Sequence, residues 1–113
     1  MMLVLTESNF DEVVHSTDYL LVEFSASWCG PCKAYEQVLA ECEKAFPSFT
    51  FAKIDIEDQS GLAEEFQVRS VPATMILRNR VVVCMEAGAL SQSVLAELLE
   101  QASQLDDSQL PNG

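Results

Sequence analysis

Basic residues are scarce in this chain: six Lys and Arg stand against 18 Asp and Glu over 113 residues, for a formal net charge of −12. None lies beyond Arg80. A polyanion would find no basic stripe here, which argues against a nucleic-acid partner. The acidic excess reads first as a solubilising surface, with steering toward a basic partner as the alternative. Long apolar runs are missing too; nothing approaches the ~20 residues that span a bilayer, so no membrane partner is expected. Met1 to Thr6 has no basic start and too short an apolar run for a signal peptide. Cysteine is also sparse, and four residues are too few for a scaffold built on disulfides. That usage points to a reducing compartment, read as the cytoplasm. Internal repeats and low-complexity segments are absent.

What is present is an apolar fraction of 49%, enough for one domain of this length to bury an ordinary core. Two of the four cysteines sit in Trp28-Cys29-Gly30-Pro31-Cys32-Lys33. Gly30 and Pro31 make the turn between the sulfurs, and Pro31 suits the first turn of a helix, where its missing N–H would have had no partner. Residues i and i+3 share a helical face, so the sulfurs can meet without rearranging the backbone. The helix start carries a partial positive charge and unpaired N–H groups, which favour a thiolate at Cys29. Tyr35, Val38, Leu39, Cys42 and Phe46 form a stripe of helical period whose backward extension lands on Cys32, so Cys32 faces inward. A two-step exchange follows: Cys29 attacks a disulfide, and Cys32 then resolves the mixed disulfide. Zinc would need a second ligand pair, and Cys42, Cys84 and His15 lack the spacing, so no metal is expected.

The remaining chain reads as alternating strands and helices. Met2 to Leu5 is a short strand, and Thr6 or Ser8 caps a helix reaching about His15, itself a favourable charge at that helix's C-terminal end. Tyr19 to Ser25 is a nearly continuous apolar strand, covered on both faces. The motif helix runs from about Pro31 to Phe46 and stops at Pro47. Phe49 to Ile56 is a second central strand, followed by a short helix over about Gly61 to Phe66. Pro72 to Leu77 and Val81 to Met85 form a hairpin around Arg78-Asn79-Arg80, where Asn79 accepts positive φ. Ser91 caps a last helix with the buried stripe Val94, Leu95, Leu98, Leu99 and Ala102, and Leu90 is placed to staple against Leu95. The expected domain is 1–104, with 105–113 a polar, flexible tail. Pattern alone leaves several topologies open for this α/β chain.

Val22 to Lys33 resembles the active-site strand and turn of thioredoxins. Phe51-Ala52-Lys53-Ile54-Asp55 resembles the family's third strand, Val68 to Ala73 its cis-proline loop, and Ala87-Gly88-Ala89-Leu90 the loop before its final helix. The resemblance implies the thioredoxin fold, a central mixed β-sheet covered by helices on both faces. It implies a dithiol protein-disulfide reductase acting on disulfide-containing client proteins. Recycling would fall to a thioredoxin reductase drawing on NADPH, with no bound cofactor and a monomeric protein.

Site roles follow from the same resemblance. Glu23 lies where thioredoxins carry a buried Asp that moves a proton to or from the inner cysteine; burial would raise its pKa toward neutrality. Lys53 matches the lysine that pairs with that carboxylate; a stem along the sheet with its head in water is the alternative. Val71, ahead of a cis Pro72, would offer its backbone to an extended client segment, with Trp28, Pro72, Gly88 and Ala89 forming a flat apolar rim. The family commonly has a proline five positions after the second cysteine, where this chain has Gln37. Cys42 reads as a small core residue. Cys84 alternates with Val82 and Glu86, leaving partial exposure and regulatory oxidation open. Two other functions stay open: a thiol oxidase or isomerase, and a non-catalytic binding or regulatory subunit on the same fold.

Overall fold

A computed structural model describes residues 2–110. The strands are β1 (Leu3–Val4), β2 (Tyr19–Ser25), β3 (Thr50–Asp55), β4 (Ala73–Arg78) and β5 (Val81–Ala87). The helices are α1 (Phe10–Ser16), α2 (Gly30–Ala45), α3 (Ser60–Glu65) and α4 (Gln92–Ser103), followed by a 3-10 turn over Asp107–Gln109. The strands form one sheet in the order β1-β3-β2-β4-β5. β3 pairs in parallel with both β1 and β2, whereas β4 runs antiparallel to β2 and β5 antiparallel to β4.

β2 is buried from Leu20 through Ser25 because it lies mid-sheet with helices on both sides. Its alternating side chains feed two cores. Leu20, Val22 and Phe24 join Phe10 and Val14 of α1 and Leu62 of α3 on one face. Leu21 joins Tyr35, Leu39 and Cys42 of α2 and Leu95, Leu99 and Ala102 of α4 on the other. Glu23, two residues after Leu21, therefore points to the α2 side. Burial of each large apolar side chain contributes roughly 1.5–3 kcal/mol, which is what holds α2 against the sheet.

Local chemistry accounts for the helix ends. Thr6 and Asn9 bond reciprocally: Thr6 N–H donates to Asn9 Oδ1 at 2.7 Å and Asn9 N–H to Thr6 Oγ1 at 3.3 Å, which sets up α1. Ser91 Oγ accepts from Val94 N–H at 3.2 Å and starts α4 as expected.

Four details depart from the sequence expectations. Val94 is 45% exposed; the buried stripe of α4 is Leu95, Leu99 and Ala102, with Leu98 half-buried. Arg78 is an interior residue of the hairpin rather than a turn residue, donating from Nη1 to the carbonyls of Ala102 at 2.6 Å and Leu105 at 2.8 Å. Those carbonyls lie at and just past the end of α4, where Ala102 also accepts the Leu105 N–H, so the guanidinium adds a charged donor that closes the helix. The tail differs as well: through Leu105, the 3-10 turn and the buried Leu110, residues 105–110 are held to the domain. Residues 111–113 lie outside the described residues. Finally, the β4–β5 register shifts between Ile76 and Leu77, with Ile76 opposite Cys84 and Leu77 opposite Val82. The extra residue, Val83, breaks the alternation, so Val83 and Cys84 both pack toward the α2/α4 core.

Candidate active site

The C-terminal ends of β2 and β3 deliver the chain to one edge of the sheet, where α2 begins. Cys29 is the N-cap of α2 and Pro31 stands in its first turn. Cys29 and Cys32 are joined by a disulfide with their Cα atoms 5.3 Å apart. The Cys29 sulfur also accepts the Cys32 backbone N–H at 3.1 Å, one of the N–H groups that a helix start leaves unpaired. That donor, together with the end of the helix dipole, favours negative charge on Cys29 over Cys32. Exposure does not separate the two: Cys29 is 3% and Cys32 1% exposed. The difference between the sulfurs lies in the helix start.

Ala26 packs against both cysteines, with Ile56 and Val71 completing the apolar bed. The Val71–Pro72 peptide bond is cis, and the Pro72 carbonyl accepts the Gly88 N–H at 2.8 Å. This bond ties the two loops together at the strand ends. Gly88 has φ +90°, a conformation that suits glycine, and a Cβ there would meet nothing within 4 Å. Trp28 is 64% exposed and Ala89 is exposed, so an open apolar surface flanks the buried disulfide.

Glu23 lies beneath this surface, wholly buried, with neither carboxyl oxygen hydrogen-bonded. Burial above all, then the neighbouring Glu36 carboxylate, pushes its pKa up to about 8, while Lys53 pulls in the opposite direction. A solvated strand-end carboxylate is thereby excluded. Lys53 is the cross-strand partner of Glu23 in the sheet register. Its ammonium, however, stands 3.9 Å from Glu36 Oε1 at the half-exposed rim. Lys53 thus faces two carboxylates: its head stays near Glu36, where water still solvates it, while its charge also opposes the rise at Glu23 as expected.

Sequence reasoning missed Glu36 and the Tyr35–Thr74 pair. Glu36 is four residues after Cys32 and so on the same side of α2, a spacing that was available but reads as an ordinary solvated glutamate. Tyr35 Oη and Thr74 Oγ1 are 2.7 Å apart in the interior, and burial raises the Tyr35 phenol to about 12. Burial likewise raises the thiols of Cys42 and Cys84, which favours their unreactive protonated form. Among the described residues no group of three or more His, Cys, Asp or Glu is arranged to hold a metal ion. Nor is any helix among them long and apolar enough to cross a membrane.

A family model described as Thioredoxin matches residues 1–101. The chain is 40% identical over 102 residues to "Putative thioredoxin 2" of Streptomyces coelicolor, covering 90% of this chain and 76% of that one. It is 46% identical over 81 residues to bovine "Protein disulfide-isomerase A4", covering 68% of this chain and 13% of the longer protein. A mutant thioredoxin from Halobacterium salinarum superposes with a TM-score of 0.84 at 28% identity, covering 92% of each chain.

Proposed function

As a member of the thioredoxin family this chain is a protein-disulfide oxidoreductase with disulfide reductase activity, and we propose that its two cysteines divide the work by position on α2. Its substrates are disulfide-containing client proteins. Cys29 is the nucleophile, since the helix start stabilises its thiolate, and Cys32 resolves the mixed disulfide. Glu23 exchanges the proton that Cys32 loses or gains. Val71 presents its backbone to an extended client segment, and Trp28, Gly88 and Ala89 form the rim on which the client rests, with Pro72 buried beneath it. The observation that carries this reading is the closed Cys29–Cys32 pair at the N-cap of α2, packed against Val71 ahead of cis Pro72.

The oxidised pair returns to the dithiol by electrons from NADPH through a thioredoxin reductase, with no cofactor bound to this chain. The protein acts as a monomer in the cytoplasm and carries electrons there. Reduction of insulin disulfides by the purified protein, with NADPH and candidate thioredoxin reductases, tests this. Turnover that needs the reductase, this protein and both cysteines is the expected result.

The similarity to a disulfide isomerase makes one competing reading specific. Direction is decided by potential, and the Gly-Pro turn favours a reducing couple near the value for thioredoxin, about −270 mV. Equilibration with glutathione, followed by Trp28 fluorescence, reads the number. A value above about −200 mV, close to the poise of the oxidising secretory compartment, would favour the isomerase.

A further inference from the structure

Three ionisable side chains meet beneath α2, and the thiol exchange itself accounts for only one of them. Glu23 is buried beside Glu36, Lys53 lies opposite it in the sheet, and Glu36 reaches the lysine from α2. Glu36 and Lys53 also line a surface depression together with Met2, Ala40 and Glu43. Their side chains are 29% and 39% exposed, so this pair touches water and Glu23 does not. Two neighbouring carboxylates in a poorly solvated place do not both ionise readily, and one ammonium can offset only one of them. Lys53 stands nearest Glu36 and opposes the rise at Glu23 only in part, so Glu23, the fully buried one of the two, is the group to stay neutral.

We propose that Glu36 is a positioning residue that keeps Glu23 in its neutral, proton-donating form, by holding Lys53 at the rim and setting a second carboxylate beside it. The proposal rests on the reading that Glu23 exchanges a proton with Cys32. When an incoming thiolate attacks the Cys29 sulfur, its sulfur bonds to Cys29, the Cys29–Cys32 bond breaks, and Cys32 leaves with the electron pair as a thiolate. The Glu23 carboxyl then gives its proton to Cys32 and becomes a carboxylate. In the reverse direction that carboxylate takes the proton back as Cys32 attacks a mixed disulfide. Glu36 thus sets the pH range over which Glu23 can act as donor.

Other groups facing Glu23 do not supply this control. From α2, Tyr35 is held neutral by its raised pKa and Cys42 by burial. From β4, Thr74 lies opposite Glu23 and carries no charge. α4 brings Leu95, Leu99 and Ala102 to the same face of the sheet. Cys29 and Cys32 do not titrate while disulfide-bonded.

The experiment follows the Glu23 carboxyl of the oxidised protein by infrared pH titration, its band identified by loss in Glu23→Gln. Opening of the disulfide by dithiothreitol is timed in parallel across the same pH range. Glu36→Gln should lower the Glu23 titration by about one pH unit or more, since the like charge goes and Lys53 is released. Glu36→Asp should restore most of it, and Lys53→Gln should move it upward. The inflection in opening rate should move with the band in each variant. An unmoved band in Glu36→Gln, or in Lys53→Gln should the first variant fail to fold, overturns the proposal. If the rate has no inflection that Glu23→Gln removes, the proton role of Glu23 falls and the proposal falls with it. If that inflection exists and ignores Glu36, only the assignment of Glu36 falls.

Discussion

Glu23→Gln should change how stability depends on pH. The carboxyl is wholly buried, and its pKa of about 8 stands against an ordinary value of 4.5. Below pH 4.5 it is neutral in both folded and unfolded chains and adds no pH dependence. Above that value the unfolded chain ionises and gains solvation, while the folded chain stays neutral until about pH 8. Stability is therefore fully present at the acid end and is lost as pH rises through the window from 4.5 to about 8, after which it levels off. One pKa unit corresponds to about 1.4 kcal/mol, so by pH 7 the loss amounts to about 3 kcal/mol. Glutamine keeps the shape and does not titrate. Whatever constant cost its buried amide brings, the difference between variant and wild type should shift in the variant's favour by about 1.4 kcal/mol per pH unit across the window. Urea unfolding of both oxidised proteins at half-unit steps from pH 5 to about 9, a range chosen to span the shifted titration, measures this difference directly. A difference that stays flat with pH would refute the reasoning, because it would mean that Glu23 titrates alike in the folded and unfolded chains.

Three further expectations concern the cysteines, the end of α4 and the Gly88 loop. Cys29→Ser should abolish reduction, whereas Cys32→Ser should accumulate a mixed disulfide through Cys29; mass spectrometry after incubation with a disulfide substrate reads both, and trapping through Cys32 would reverse the assignment. Arg78→Met should cost about 2–4 kcal/mol in denaturant unfolding, because the carbonyls of Ala102 and Leu105 lose a buried charged donor. The stacking of Arg78 on the Tyr19 ring, 4.1 Å from guanidinium to centroid, is lost in the same change. Gly88→Ala should cost about 1 kcal/mol through its positive φ alone, since a Cβ there meets open space. A thermal melt unchanged from wild type would show that this loop adopts another backbone conformation in solution.

Features that depend on near neighbours along the chain were legible in the sequence. The Cys29–Cys32 couple follows from two residues three apart at a helix start, and the Ser91 cap of α4 follows from a hydroxyl before an apolar stripe. β2 was recognisable because a strand covered on both faces must be apolar throughout, which also made Glu23 conspicuous. The resemblance to thioredoxins then selected the topology from several that the pattern allowed, and the parallel β1-β3-β2 pairing with an antiparallel β4–β5 edge agrees with it. What the tertiary structure decided was where long side chains send their charges and which of two half-hydrophobic positions is covered. Lys53 set its ammonium beside Glu36 at the rim while still acting on Glu23, Arg78 left the turn to close α4, and the extra residue Val83 brought Cys84 toward the core. Each outcome depends on elements distant in sequence and on a choice between solvation and pairing, and a flexible lysine or arginine can satisfy either until packing removes one of them.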